Sequence, residues 1–465
     1  MSRPTIVPRN HERPFGPHEL FYSTTDRKGV IRSGNEVFVR ISAHPLERLI
    51  GSAHNIIRHP DMPRAVFKLL WDVIGTNRPF AGYVKNLAAD GGYYWVVALV
   101  VPVADGYLSV RFKPSTPYFQ VAKELYAALL ATEQAAGTEG DAWRAGMQAS
   151  GAQLLAALRA KGFASYEQFM HVVLSAELVS HRRASQAAVA ARGIGDADAR
   201  GGRSGHVELD RIHSACQEVD RDLDELFSRV GGFLDAIESL DSKATFLLEL
   251  SSKLQLVSLN ALVAACRLDR GGEGLSVVAE DLARLSREST TAIDDVTAQL
   301  GLLTSSLRET AFSITAAKLQ LEMTTSFVRE LMNGHARQGG LALEAQTETD
   351  IATLLDSIAH SARQLVAALP RSREPIPRLV RLQDELASDL RRLSSVHVIG
   401  KIQATGVEGE AHFRALLDQI FEQLQVATNE LQEMAEGVSS LRRQLPEFER
   451  TAASAQRTSG AFGVV

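Results

Sequence analysis

The sequence predicts an α+β domain with a five-stranded antiparallel sheet and short helices, followed by an all-α region containing an antiparallel coiled-coil hairpin. Three observations carry this prediction. The three tryptophans (Trp71, Trp95, Trp143) lie in the first third of the 465 residues, and no tyrosine follows Tyr166. Short apolar runs of strand length, set off by Asp-Gly turns, occupy the same front portion. From Gly205 the chain becomes rich in Leu, Ala, Glu, Arg, Gln and Ser, and its apolar residues recur with a three-four alternation.

After an N-terminal tail (1–17), "LFYSTT" (Leu20 to Thr25) reads as a strand, "DRKG" as a turn and "VIRSG" as a second strand. "NEVFVRIS" and "PLERLIG" read as short helices, the latter stopped by Gly51. "NIIRHPDMP" (Asn55 to Pro63) places an arginine, a histidine and an aspartate between two prolines' constraints. Pro60 holds His59 extended, Asp61 reads as a helix N-cap and Pro63 as a first-turn residue, so the stretch is a strand-like approach to a helix start. The following helix carries Phe67, Leu70, Trp71 and Ile74 on one face. "FAGYVKNLA" and "YYWVVALVVPV" are strands joined across Asp90–Gly91, and "YLSVRFKP" is a further strand after Asp105–Gly106. Two strands, several short helices and three strands imply an antiparallel sheet with helices gathered on one side.

Residues 118–190 read as helices, and 191–206, "ARGIGDADARGGRSGH", as a flexible Gly-rich linker. From Leu209 the apolar positions Ile212, Cys216, Val219, Leu223, Leu226, Val230, Phe233, Ile237, Leu240, Ala244 and Leu247 form a heptad seam. "RLDRGGEG" (Arg267 to Gly274) turns the chain, so residues 207–335 form an antiparallel hairpin with its tip near 260–280, interrupted by "NGHARQGG" from Asn333. The seam needs a cover: a homodimeric four-helix bundle, or later helices of the same chain. Residues 342–450 are further helices, broken by Pro370, Pro375 and Pro377. A weak echo aligns Gly400, Ile402, Ala404 and Phe413 with Ala261, Val263, Ala265 and Leu275, which suggests a degenerate second hairpin. The Ala/Ser/Gly-rich residues 451–465 read as a frayed tail.

The net charge of −5 does not call for nucleic acid. Cys216 and Cys266 lack metal-ligand spacing and read as packed thiols in a reducing cytoplasm. The N-terminus has no signal-peptide core, and the most apolar run, Tyr93 to Val103, is far short of the ~20 residues of a membrane span. No P-loop, dinucleotide fingerprint, nucleophile elbow or kinase motif is present, so an enzyme is not expected.

The segments "STTDRKGVIRSGNEVFVRIS", "HNIIRHPDMP", "FKLLW", "GYVKN" and "DGGYYWVVALVVPV", in this order within residues 18–117, resemble the PAS sensor domain of the aerotaxis-receptor group. The resemblance implies a cupped fold around FAD, read as a redox or oxygen signal, with haem or an empty pocket as the lesser alternatives. It implies Asn35, Arg58, His59, Asp61, Trp71 and Asn86 as cofactor-pocket residues. Arg58 suits a phosphate or ring carbonyl and Trp71 a stacking wall. Asn35 and Asn86 suit a ring edge bearing donors and acceptors, while His59 and Asp61 suit loop fixing or proton sensing.

"LVSLNALVAACRLDRGGEGLSVVAEDLARLSRESTTAIDDV" (Leu256 to Val296) resembles the signalling tip of methyl-accepting chemotaxis proteins, matching it at Asn260, Arg267, Gly272 and Gly274 among others. The resemblance implies docking to the chemotaxis histidine kinase and its coupling protein. Ala264, Asp269–Arg270, Glu273 and Leu275 depart from the family pattern and alter the tip's charge, and no clean methylation site flanks it. The expectation is a soluble cytoplasmic transducer of aerotaxis or energy-taxis type. The competing expectation is a cofactor-free PAS scaffold whose altered hairpin binds a non-chemotaxis partner.

Overall fold

The computed structural model describes residues 6–137, 141–191, 207–266, 272–338, 345–405 and 411–461. The chain divides into two compact units, one of residues 1–227, 311–366 and 451–465, the other of 228–310 and 367–450.

In the first unit, β1 (Phe21–Asp26), β2 (Ile31–Gly34), β3 (Phe80–Leu87), β4 (Tyr93–Val103) and β5 (Gly106–Phe112) form one antiparallel sheet in the order β2-β1-β5-β4-β3. The helices α1 (Glu36–Ser42), α2 (Leu46–Leu49) and α3 (Arg64–Ile74) lie between β2 and β3, as the sequence predicts, but His54–Ile57 forms a 3-10 turn where the strand-like approach is expected to begin. The Asp90–Gly91 turn is as predicted, with Gly91 at φ 88°. Gly106 starts β5 so close to β1 that a Cβ there would stand 1.8 Å from the Thr25 carbonyl oxygen.

The short helices share the inner face, where Phe38 of α1 stacks near His54 and meets Arg111 and α3 faces the same strand, while later helices take the other face. The outer face of the sheet is covered by α4 (Pro117–Ala136), by α6 (Tyr166–Ala191) and by the 311–366 portions of α8 (Gly272–Gln338) and α9 (Ala345–Arg373). Trp95 meets Phe119 and Tyr126, Phe112 meets His181, and Tyr22 meets Phe327 and donates to Asp350 Oδ2 at 3.3 Å. The physical reason is legible in β4: a near-continuous apolar strand is buried on both faces. Beside this packing, Arg182 of α6 pairs with Asp220, Asp224 and Glu322, and the buried Lys318 pairs with the same two aspartates. α5 (Ala142–Ala160) packs on α4 and α3.

Two carboxylates reach across the unit to cap helices. Glu133 of α4 accepts from the Arg64 and Ala65 amides (2.8 and 3.0 Å), which corrects the N-cap reading of Asp61: the cap position is Pro63, which offers no side-chain acceptor. Glu177 of α6, fully buried, accepts from the Ser115 and Thr116 amides and hydroxyls at the start of α4 and from the Tyr83 hydroxyl at 2.6 Å. Each places negative charge at a helix N-terminus whose amides have no intrahelical partner.

The second unit is a bundle of segments from α7 (Val207–Cys266), α8, α10 (Pro375–Ala404) and α11 (Ala411–Gly460). Every predicted seam position from Leu209 to Leu247 is buried. Phe233 meets Phe448 edge to face, Lys243 pairs with Glu430 and Glu433, and Leu247, Leu254, Ile293, Leu390, Ala427 and Leu431 meet around one small gap. The cover of the seam is thus the chain's own later helices. The α10–α11 pair is a second hairpin, and the sequence echo repeats in burial: Ala261, Ala265 and Leu275 are buried, as are Gly400, Ala404 and Phe413, while Val263 and Ile402 are both exposed.

Other expectations change. α8 runs to Gln338, through Asn333 and Gly334, and Pro370 lies inside α9, with only Glu374 between α9 and α10. Residues from Thr451 are not frayed: α11 continues to Gly460 because Ala452, Ala455 and Ser459 are buried. Cys216 is buried as expected, but Cys266 is exposed. Most of the predicted linker, 192–206, lies outside the described residues. Among the described residues one helix, Leu209–Cys266, is long and apolar enough to cross a membrane by composition (window hydropathy 1.3), and its seam residues are buried in the fold.

Candidate functional site

A cavity of about 240 Å³ lies between the inner face of the sheet and α3. The alternation of β5 builds one wall: Tyr107, Ser109 and Arg111 line the cavity, whereas Phe112 packs outward on α6. The predicted apolar face of α3, Phe67, Leu70, Trp71 and Ile74, builds the opposite wall. Trp71 is 43% exposed, so it stands at the mouth, edge-on to Tyr107 at 5.8 Å.

Of the six predicted pocket residues, the fold brings three together here. Arg58 and Asn86 are bridged across the backbone and, with Trp71, line the cavity. Asn35 does not. It is the N-cap of α1, accepting from the Phe38 amide at 3.3 Å and donating to the Leu20 carbonyl at 3.2 Å. His59 and Asp61 also stand apart from it and fix the loop: His59 Nδ1 accepts from the Asp61 amide at 3.1 Å, and Lys85 Nζ holds Asp61 at 2.6 Å. Burial and the Lys85 ammonium, opposed by Asp61, lower the His59 pKa to about 4, so the ring is neutral at physiological pH.

The residues the sequence reading missed are His54, Ser109 and Arg111. Arg111, 3% exposed, donates to Ser23 Oγ at 3.1 Å and to His54 Nε2 at 2.7 Å, and among the described residues it has no carboxylate partner. Burial lowers its pKa only to about 10, so a buried cation faces the cavity. Asn86 Nδ2 and Ser109 Oγ, on residues 3% and 6% exposed, have no hydrogen-bond partner among the described residues. Orphaned buried polar groups are uncommon and costly, and here they sit on one cavity wall. The alternation of "YLSVRF" was the available signal: it sets Tyr107, Ser109 and Arg111 on one face of a core strand.

Burial, then the adjacent Arg111 guanidinium, depress the His54 pKa from 6.5 to about 3. The unfolded chain therefore binds more protons between these values, and the contribution to stability present above pH 6.5 is lost as pH falls toward 3. His54→Gln, which keeps an acceptor for Arg111, is expected to move the acid unfolding midpoint, followed by tryptophan fluorescence, to lower pH. His181, depressed to about 4, acts in the same sense and remains in both proteins. An unchanged midpoint would show that His54 is not held neutral.

At the predicted signalling tip, Asn260 is exposed, Gly272 opens α8, and Gly274 faces Gln403 of the second hairpin, while Arg267 lies outside the described residues. Leu256, Leu259, Val263 and Val277 on the first hairpin and Val398, Ile399 and Ile402 on the second are exposed.

The strand order, the short helices and the cavity over the sheet define a PAS-type fold, and a family model described as "PAS fold" matches residues 32–109. The chain is 35% identical over 133 residues to the aerotaxis receptor of Escherichia coli (strain K12), and 28% identical over 83 residues to a nitrogen fixation regulatory protein of Klebsiella pneumoniae. These matches take in 28% and 18% of this chain and only 26% and 17% of the two relatives. Among solved structures, the light state of the blue-light photoreceptor Aureochrome1 LOV domain matches 22% of the chain and 88% of its own at 22% identity (TM-score 0.20). A PAS domain from Colwellia psychrerythraea matches 20% and 85% at 20% identity (TM-score 0.18). The chain therefore carries a PAS fold over residues 32–109, similar in sequence to the aerotaxis receptor, followed by a long helical region.

Proposed function

We propose that the protein is a cytoplasmic signal transducer of the aerotaxis or energy-taxis type, in which the PAS cavity binds a flavin, with FAD the form favoured, and the helices carry its state to the hairpin tips. The observation that carries this reading is the cavity wall of Asn86, Ser109 and Arg111: two buried groups without partners and a buried cation without an acid. A flavin ring edge, with its carbonyls and ring nitrogens, supplies acceptors and donors for such a wall. Haem is less well served, because His54 Nε2 is engaged by Arg111. A bound flavin would supply reversible electron uptake and, with it, a change of charge at the ring. Arg111 favours the more negative form electrostatically, and β5 passes a shift of Arg111 to Phe112 and so to His181 on α6. This meets the requirement that a switch interact differently with two states.

The exposed apolar residues at the tip support docking of a partner, with the chemotaxis histidine kinase and its coupling protein as the first candidates. Ala264, Arg270 and Glu273 favour a second reading, a PAS scaffold that binds another partner. Assembly into a homodimer is a further expectation, although the bundle seam is already covered within the chain. The absorbance spectrum of the purified full-length protein, with heat release and identification of the chromophore, tests the cofactor. A flavin spectrum with released FAD is expected. A colourless folded protein that takes up no added flavin would overturn it and leave the scaffold reading, which co-purification with the kinase would in turn exclude.

A further inference from the structure

Beside the cavity lies an open groove of about 460 Å³, lined by Arg58, Arg64, Phe67, Lys68, Trp71, Trp143 and Met147. Three of these, Arg58, Phe67 and Trp71, also line the cavity, so the two spaces meet along one edge. The cavity alone, about 240 Å³, is below the roughly 300–1,000 Å³ usual for ligand sites, whereas the groove extends it well into that range. The groove differs in chemistry from the cavity. It presents three cations, Arg58, Arg64 and Lys68, and two indole rings, one of them Trp143 with the Arg64 guanidinium 5.5 Å from its centroid. The nearby acids are engaged: Asp72 pairs with Lys68, and Glu133 caps α3.

On the flavin reading of the cavity, we propose that the groove holds the ADP half of the cofactor, with the pyrophosphate at Arg58, Arg64 and Lys68 and the adenine against Trp143. The observations fit this occupant in three ways. The cavity accommodates only the flat head of a dinucleotide, and the remainder must leave by the edge where Arg58 and Trp71 stand. Clustered guanidinium and ammonium groups recognise phosphates, and an indole stacks on a purine face. Trp143 belongs to α5, beyond the residues matched by the PAS model, so the helices after the sheet complete the cofactor site. This assigns a task to a segment whose sequence shows only helix periodicity.

The test is the affinity of the full-length apoprotein for FAD and for riboflavin, which lacks the ADP half, in wild type and in Trp143→Ala, Arg64→Gln and Trp143→Phe. Wild type is expected to bind FAD at least a hundredfold more tightly than riboflavin. Trp143→Ala and Arg64→Gln are each expected to weaken FAD about tenfold and leave riboflavin unchanged, and Trp143→Phe to recover most of the loss. Equal wild-type affinities, or losses shared equally by both ligands, would overturn the groove assignment while leaving a flavin head-group site. Failure of the wild type to bind either ligand would overturn the flavin reading itself. Arg64→Gln, on an accessible side chain, keeps the test decisive if Trp143→Ala does not fold.

Discussion

Arg111→Met is expected to stabilise the cofactor-free protein and to weaken flavin binding. The guanidinium is 3% exposed and has no carboxylate partner among the described residues, so the fold carries the desolvation cost of a charge offset by Ser23, His54, the Ser109 carbonyl and the Phe21 and Phe38 rings. Replacing buried ionic groups by apolar ones of similar volume is commonly neutral or stabilising by about 1–4 kcal/mol, and Met fills the same space. Ser23 and His54 keep each other as partners at 3.3 Å. A hydrogen bond from a charged donor contributes about 1.5–3 kcal/mol, so flavin affinity should fall roughly tenfold to a hundredfold. Thermal melts of the apoprotein and flavin titration check the two signs together. A less stable variant with unchanged affinity would mean that Arg111 serves the fold and not a ligand.

Glu177→Ala is expected to cost about 2–4 kcal/mol, because buried donors that lose their only acceptor each cost about 1–3 kcal/mol. The half-buried Thr116 amide is stranded and the fully buried Tyr83 hydroxyl keeps only the Thr116 hydroxyl at 3.5 Å, while water reaches the exposed Ser115. Glu177→Gln keeps an acceptor oxygen and removes only the charge, and should cost about half as much, since charge-assisted hydrogen bonds are roughly twice as strong as neutral ones. Denaturant unfolding followed by tryptophan emission reports it, because all three tryptophans lie between Trp71 and Trp143 and Trp95 packs on Phe119, early in α4. Equal losses for Ala and Gln would show that the charge carries the whole effect, whereas a Gln variant as stable as wild type would show that charge at the α4 N-terminus does not matter. A loss below about 0.5 kcal/mol, the range of ordinary surface substitutions, would show that Glu177 does not hold α4 to the sheet.

The strands, the short helices and the heptad seam were readable locally, because periodicity and turn chemistry act over a few residues. The seam from Leu209 to Leu247 is buried at every predicted position, and the α3 face from Phe67 to Ile74 lines the cavity. Half of the candidate site was readable in the same way: Arg58, Trp71 and Asn86 reach the cavity, whereas Asn35, His59 and Asp61 hold helices and loops. What a single strand cannot show is which of its two faces meets a ligand and which meets another helix. That decision placed Arg111 toward the cavity and Phe112 on His181, from neighbouring positions in one run.

By itself, then, the sequence determined the elements, the order of strands and helices, the two kinds of region and the sensor-domain resemblance. Tertiary structure alone decided that Glu133 and Glu177, distant in sequence, cap α3 and α4. It also decided that the seam from Phe233 to Leu247 meets α10 and α11 of the same chain and that Trp143 of α5 stands beside Arg58 and Arg64. The physical reason is common to all three: helix ends, apolar seams and charged clusters each state a need for a partner in their own sequence. Which residue meets the need is set by chain topology, over separations that local pattern does not encode.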